Sequence, residues 1–248
     1  MSTPATELLE LAGVTKRYGG IAALDDCRFR VAEGSMTGLI GPNGSGKTTA
    51  FNVVSGFVRP DAGVVRFAGR EVRPEPARMC RAGLVRTFQQ PRVFGALTAL
   101  ENVVVAGASR WWAAFTPRVG RRDRSRALEL LEEFGLAGVA DLPADRLSYG
   151  QRKLLSFASV LTSDPRMVLL DEPSAGVSPP VAEVMERHIR ARNAAGVTFL
   201  VVEHNMSFVM RLCDPLIVLA RGRQIVIGPP EVVRADPGVL DTYLGAWR

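Results

Sequence analysis

Apolar positions recur along this chain with two periods. In the first third they alternate with polar ones. "LLELAGV", "CRFRVAEG" and "GVVRFAGREV" read as half-buried strands, and "MTGLIG" as a short apolar strand. "TTAFNVVSGFV", which follows "MTGLIG", reads as a helix. From about residue 97 to 136 the period becomes helical. "RALELLEEFGL" places Leu128, Leu131 and Phe134 on one face, and Gly135 is positioned to stop the helix. Beyond residue 164 the apolar runs "RMVLLDE", "TFLVVEH" and "PLIVLARG" alternate with the helical stretches "PPVAEVMERHIRARNAAG" and "MSFVMRLC". Continuous apolar strands between helices imply a parallel sheet covered on both faces. The pattern predicts an α/β fold with a β-rich N-terminal part. Residues 1–90 and 164–248 would form the core, and residues 91–163 a helical insert.

Composition narrows the picture. The chain has 248 residues, 47% hydrophobic and 23% charged, enough for one sizeable core or a core with a subdomain. A net charge of +6 fits an arginine-rich surface or an anionic partner: nucleotide, nucleic acid or membrane headgroups. The three cysteines, Cys27, Cys80 and Cys213, are widely spaced without a CxxC pattern, which fits a reducing compartment and argues against disulfides or a zinc site. "MSTPATELLE" lacks a basic-then-apolar signal. No uncharged run approaches the ~18 to 20 apolar residues of a spanning helix. A chain of this kind would act at a membrane only from the side.

One motif carries explicit chemistry. "GPNGSGKT", Gly41 to Thr48, follows a short apolar strand and opens a helix, the setting a phosphate-binding loop requires. Glycines let consecutive N–H groups converge on phosphate oxygens, and the helix N-terminus adds partial positive charge. Lys47 would reach the terminal phosphates and Thr48 would ligate Mg²⁺. "RMVLLDE" ends a strand in two acids. Asp171 would reach the Mg²⁺ through water and Glu172 would serve as general base. His204 closes the run "TFLVVEH" at the carboxyl end of a strand, where ligands of such sheets bind. The other histidine, His188, lies in a polar helix and reads as a surface residue. Gln89, at the end of "GLVRTFQ", could approach Mg²⁺ from a strand tip.

Together these residues resemble an ABC-transporter ATPase subunit over nearly the whole chain, in the family's order. The resemblance implies a P-loop NTPase fold: an N-terminal antiparallel β part, a RecA-like parallel-sheet core and an inserted α-helical subdomain. Tyr18 in "TKRYGG" matches the aromatic that stacks on adenine. Gly41, Pro42, Asn43, Gly44, Ser45, Gly46, Lys47, Thr48 and Thr49 match the Walker A loop. Gln89 matches the Q-loop glutamine, Asp171 and Glu172 the Walker B pair, "SAGVSP" the D-loop and His204 the switch histidine. "LSYGQ" matches the signature, so Ser148, Tyr149, Gly150 and Gln151 would cover the ATP of a second subunit, with Gln151 beginning a helix. The resemblance implies ATP and Mg²⁺, with Thr48, Gln89 and Asp171 near the metal and Glu172 and His204 at the reacting phosphate.

A narrower likeness runs through "RTFQ", "ENVVVA", "YGQ", "DEPSAGVSP", "VVEHNMSFVMRLCD" and "PEVVRADPGVLDTYLG". These resemble the ATP-binding subunits of importers for branched-chain or other hydrophobic amino acids, with relatives that import urea or short amides. That likeness implies a second ATP-binding subunit in a homo- or heterodimer, two permease subunits and an extracytoplasmic binding protein. It also implies a place on the cytoplasmic, inner face of the membrane, with no nucleic acid bound. Two positions depart from the general pattern. Tyr149 replaces a glycine, as the importer group allows, and Ser178 stands where Asp or Asn is usual. Two segments of the insert remain open in meaning. The arginine-rich "RVGRRDRSR" would be a solvated helix start or a contact for anionic headgroups. Trp111 and Trp112 would be packed or form an apolar docking patch. The competing class is a soluble ABC-type ATPase acting on nucleic acid or ribosomes. It would use the basic charge directly, but the chain has one nucleotide unit, no coiled-coil insert and no basic tail. An exporter ATPase is disfavoured by the importer-like tail.

Overall fold

A computed structural model of the chain describes residues 6–107 and 121–239; Trp111, Trp112 and Arg118 lie outside them, and of Arg121 and Arg122 only the backbone is described. The N-terminal alternation forms an antiparallel sheet of order β2-β1-β4-β5. Its strands are β1 (Glu7–Tyr18), β2 (Ile21–Ala32), β4 (Ala62–Phe67) and β5 (Arg70–Val72). A second, six-stranded sheet has the order β10-β9-β3-β8-β7-β6. It contains β3 (Met36–Ile40), β6 (Leu84–Arg86), β7 (Met167–Asp171), β8 (Thr198–Val202), β9 (Leu216–Ala220) and β10 (Arg223–Gly228). The pairs β3·β8, β3·β9 and β7·β8 are parallel, and β10 closes one edge antiparallel to β9. Every residue of β8 is buried, as an apolar run covered on both faces requires.

The chain divides into two compact units. Residues 6–85, 166–172 and 192–239 form the first; residues 86–107, 121–165 and 173–191 form the second. In the first unit one core joins both sheets and α1 (Lys47–Val54). Leu9, Phe29 and Val65 come from the antiparallel sheet, Phe51 and Val53 from α1, and Leu39, Leu169 and Leu200 from the parallel one. The helix α1 is shorter than "TTAFNVVSGFV" suggests: Ser55 caps it and Gly56 turns left-handed at φ 82°. The short helices α2 (Pro76–Arg81), α7 (Met206–Leu212) and α8 (Pro230–Ala235) complete the described part of this unit.

The second unit is helical: α3 (Ala99–Gly107), α4 (Arg121–Glu133), α5 (Tyr149–Leu161) and most of α6 (Pro179–Ala194). A reciprocal pair of bonds between Thr98 and Glu101 caps α3. Gly135 stops α4 as its position predicts, with φ 68°. Its N–H donates to the Glu132 carbonyl and the Leu136 N–H to the Leu131 carbonyl, a Schellman closure. The buried stripe of α4 is shifted from the predicted one. Ala127, Leu131 and Phe134 are buried, while Leu128 is exposed. His188 is not a plain surface residue either. Its ring is half-buried and stacks on Phe134 at 3.9 Å, and Phe134 meets Phe157 edge-on at 5.7 Å. The mostly polar sequence of α6 hides this contact, because only the fold brings Phe134 opposite it.

Among the described residues no helix is long and apolar enough to cross a membrane. The cysteines provide a check on the burial pattern. Cys27 and Cys213 are buried and Cys80 is exposed. Burial, aided by the Asp26 carboxylate, pushes the Cys27 thiol up to about 12, leaving almost no thiolate at neutral pH. A water-soluble maleimide should therefore add once to the native chain, at Cys80, and three times after denaturation. Mass spectrometry of the Cys80→Ser variant should show no native labelling.

Candidate functional site

The phosphate-loop sequence folds as a strand, a tight loop and a helix. β3 ends at Ile40, the loop runs Gly41 to Gly46 and α1 begins at Lys47. Gly46 is the N-cap, with φ 103°, and a Cβ there would come within 2.5 Å of the Ala23 carbonyl oxygen. Only glycine satisfies both the backbone and that approach. Asn43, Gly44 and Thr48 are exposed, Pro42, Gly46 and Thr49 half-buried, and Ser45 buried. The Ser45 hydroxyl lies against Gly41 and has no hydrogen-bond partner. Lys47 is 6% exposed, and its ammonium donates to the carbonyls of Gly41 and Pro42 at 2.7 and 3.0 Å. Burial holds its pKa below the usual lysine value, and the Glu172 carboxylate opposes that shift. The cation is thus tethered to the loop it would serve.

The acids and the histidine come from the neighbouring strands. Leu39 of β3 pairs with Val202 of β8, and Val202 pairs with Asp171 of β7. The Glu172 N–H donates to the Val202 carbonyl at 2.8 Å, extending the ladder by one residue. Glu172 then turns left-handed, with φ 48°. A non-glycine residue in that region carries strain of about 1 kcal/mol or more. His204 does not close β8. The strand stops at Val202, and His204 lies two residues beyond it, with its side chain 50% exposed. Its Nε2 is 3.2 Å from the Glu172 Oε1, and the Glu172 side chain is only 17% exposed. The following helix α7 is capped by Asn205, whose side chain accepts the Phe208 N–H. That leaves the histidine ring out of the capping role.

One residue of this edge escapes sequence inspection. Glu203 is buried, and its Oε2 accepts the N–H groups of His204 and Asn205 at 3.1 and 3.3 Å. The carboxylate thereby fixes the backbone on which His204 is mounted. A glutamate directly before the histidine, inside an apolar run, is the only signal the sequence offers for it. Tyr18 ends β1 at the tight turn to β2 and is 49% exposed, with the Lys16 ammonium 5.6 Å from its ring centre.

The remaining predicted residues lie in the second unit. Gln89 is not at a strand tip, since β6 ends at Arg86 and Gln89 follows in an exposed turn. "LSYGQ" forms the start of α5. Ser148 is the N-cap and Tyr149 the first helical residue, so the helix begins two residues before Gln151. The Ser148 hydroxyl accepts the Gln151 N–H at 3.2 Å, and the Gln151 side chain accepts the Ser148 N–H at 2.9 Å. This reciprocal box fixes the helix mouth.

Among the described residues no cluster of three His, Cys, Asp or Glu side chains could hold a metal. Within the first unit the Thr48 hydroxyl and Asp171 carboxylate are hard oxygen donors. Such a set suits Mg²⁺, which keeps waters and takes phosphate oxygens as further ligands.

Residues 24–175 match the family described as ABC transporter. The chain is 38% identical to the high-affinity branched-chain amino acid transport ATP-binding protein BraF of Pseudomonas aeruginosa, over 99% of both chains. It superposes with a TM-score of 0.85 on an ATP-binding cassette of an ABC transporter in its ADP conformation, at 35% identity, covering 96% of this chain and 99% of that one. A dimeric ATP-binding cassette in a post-hydrolysis state with ADP and Pi is similar at a TM-score of 0.79 and 26% identity, covering 90% of this chain and 99% of that one. Replacement of Lys47 by alanine should lower ATP affinity by about tenfold or more, read by titration with a fluorescent nucleotide. Unchanged affinity would argue against the phosphate cradle.

Proposed function

The chain belongs to the ABC transporter family of ATP-binding subunits, and from that premise we propose how its residues hydrolyse ATP and what the hydrolysis drives. The chain is an ATPase. The observation that carries the mechanism is the 3.2 Å contact between His204 and Glu172 on the strand edge that also leads into the Lys47 loop. Glu172 accepts a proton from the attacking water as general base. His204 holds that carboxylate and faces the γ-phosphate. Lys47 and backbone N–H groups of the Gly41–Thr49 loop, Pro42 having none, bind the phosphates. Tyr18 stacks on the adenine. Thr48, Gln89 and Asp171 would hold Mg²⁺, which would offset charge on the phosphate oxygens.

One chain carries one phosphate loop and one signature. Ser148, Tyr149, Gly150 and Gln151 cover the ATP of a second ATP-binding subunit, identical or different. The dimeric likeness at 26% identity supports this arrangement. Hydrolysis removes the phosphate that bridges the subunits, and the dimer opens. The likeness to a branched-chain amino acid transport protein supports an importer of branched-chain or other hydrophobic amino acids, or of related small amides. It lends no support to action on nucleic acid or ribosomes. The subunit works on the inner face of the membrane against permease subunits, with an extracytoplasmic binding protein delivering the substrate.

In Glu172→Gln the side chain keeps its shape and loses its basicity. Hydrolysis should slow by about a hundredfold or more while ATP still binds, and a closed dimer should accumulate on size-exclusion chromatography with light scattering. A normal turnover rate in that variant would sink the base assignment. For the cargo, vesicles carrying the assembled permease should hydrolyse ATP faster with leucine-loaded binding protein than with empty binding protein. Equal rates would remove branched-chain amino acids from the assignment.

A further inference from the structure

Tyr149 and Lys153 stand four residues apart on α5, hence on one face of the helix. Both reach the same turn of the segment 174–178. The Lys153 ammonium donates to the Ala175 carbonyl at 3.0 Å, and the residue is only 4% exposed. The Tyr149 ring lies on the next residue. A Cβ built on Gly176 would stand 3.1 Å from the Tyr149 Cε1 and 3.5 Å from its Cζ. Gly176 itself has φ 72°. A side chain at 176 would press on the ring edge and would also strain the left-handed backbone. The tyrosine in place of a glycine in the signature and the glycine at 176 are complementary in shape. Lys153 lies 5.9 Å from the Tyr149 ring centre, so the ring face sees the same cation that holds Ala175. The Tyr149 hydroxyl donates to the Gln89 carbonyl at 3.4 Å, a long bond that ties the turn carrying Gln89 to the same point.

We propose that Tyr149 and Lys153 are positioning residues that clamp the Ala175–Gly176 turn to the first turn of α5. The signature, the segment 174–178 and the turn at Gln89 then move as one piece within each subunit. The proposal rests on the ATPase assignment above, which gives those segments their roles at the nucleotide. A buried ammonium is kept at this place because its carbonyl partner is kept there. A change at Gln89 or at residues 174–178 is thereby delivered to the residues that cover the partner's ATP.

The test is a double-mutant cycle on the full-length subunit, assembled with its partner and permease subunits in proteoliposomes. Gly176→Ala should lower kcat for ATP by about tenfold with KM nearly unchanged, because the methyl group presses on the ring edge and strains the left-handed backbone. Adding Tyr149→Gly should return about fivefold of that loss, since the ring no longer opposes the methyl. Tyr149→Phe should hydrolyse ATP faster than Tyr149→Gly, because the ring edge remains. Lys153→Met should lower kcat, and Lys153→Arg should recover part of it. Thermal unfolding midpoints separate this from instability: the clamp requires kcat per folded subunit to fall. Additive effects of the Tyr149 and Gly176 changes, with hydrolysis still dependent on Glu172, would overturn the clamp alone. Hydrolysis indifferent to Glu172→Gln would overturn the ATPase mechanism and the clamp with it.

Discussion

The candidate site depends first on the level at which three parallel strands end. Leu39, Val202 and Asp171 lie side by side across β3, β8 and β7. Immediately beyond that line come the phosphate loop, the acid Glu172 and the turn with His204. A slip of one residue in any strand would exchange the side chains packed on its two faces and move the residue at its end out of line. The strands cannot slip cheaply, because their residues are buried in the sheet interior. Hydrophobic register is therefore what brings a cation, a carboxylate and an imidazole to one edge.

Several groups at that edge are held in states an ordinary core would avoid. Burial disfavours the charged form of Lys47, and the Glu172 carboxylate opposes that effect. Glu172 occupies a left-handed backbone better suited to glycine or asparagine. Glu203 is buried inside an apolar run, and one of its side-chain oxygens accepts two backbone N–H groups. Each conflict is local, and each neighbours a group with chemistry to perform. The strain is stabilised from outside by the continuous core that joins both sheets and α1.

Much of this was legible in the residues themselves. "GPNGSGKT" dictates its own backbone, so both its position after a strand and its lead into α1 could be read directly. Gly135 likewise announced the end of α4. Strand ends were harder, because a run can read as strand past the point where ladder pairing ends. β8 stops short of His204 and β6 short of Gln89 for that reason. Contacts between distant segments left no trace in periodicity. His188 against Phe134, and Tyr149 against Gly176, pair residues whose spacing along the chain carries no message. The outward Leu128 belongs to the same class, since the hydrophobic stripe on α4 is wide enough to be read one position off.

The box that closes the mouth of α5 also sets the polarity of what it presents. Ser148 spends its N–H on the Gln151 side chain and one hydroxyl lone pair on the Gln151 N–H. A serine hydroxyl has a single proton, and neither bond consumes it. That proton and the second lone pair remain, at the positive end of a helix. The helix end favours an oxyanion over a metal ion or an ammonium there. A preference for anions at this point thus needs no charged side chain, and none occurs among the four residues that follow Leu147.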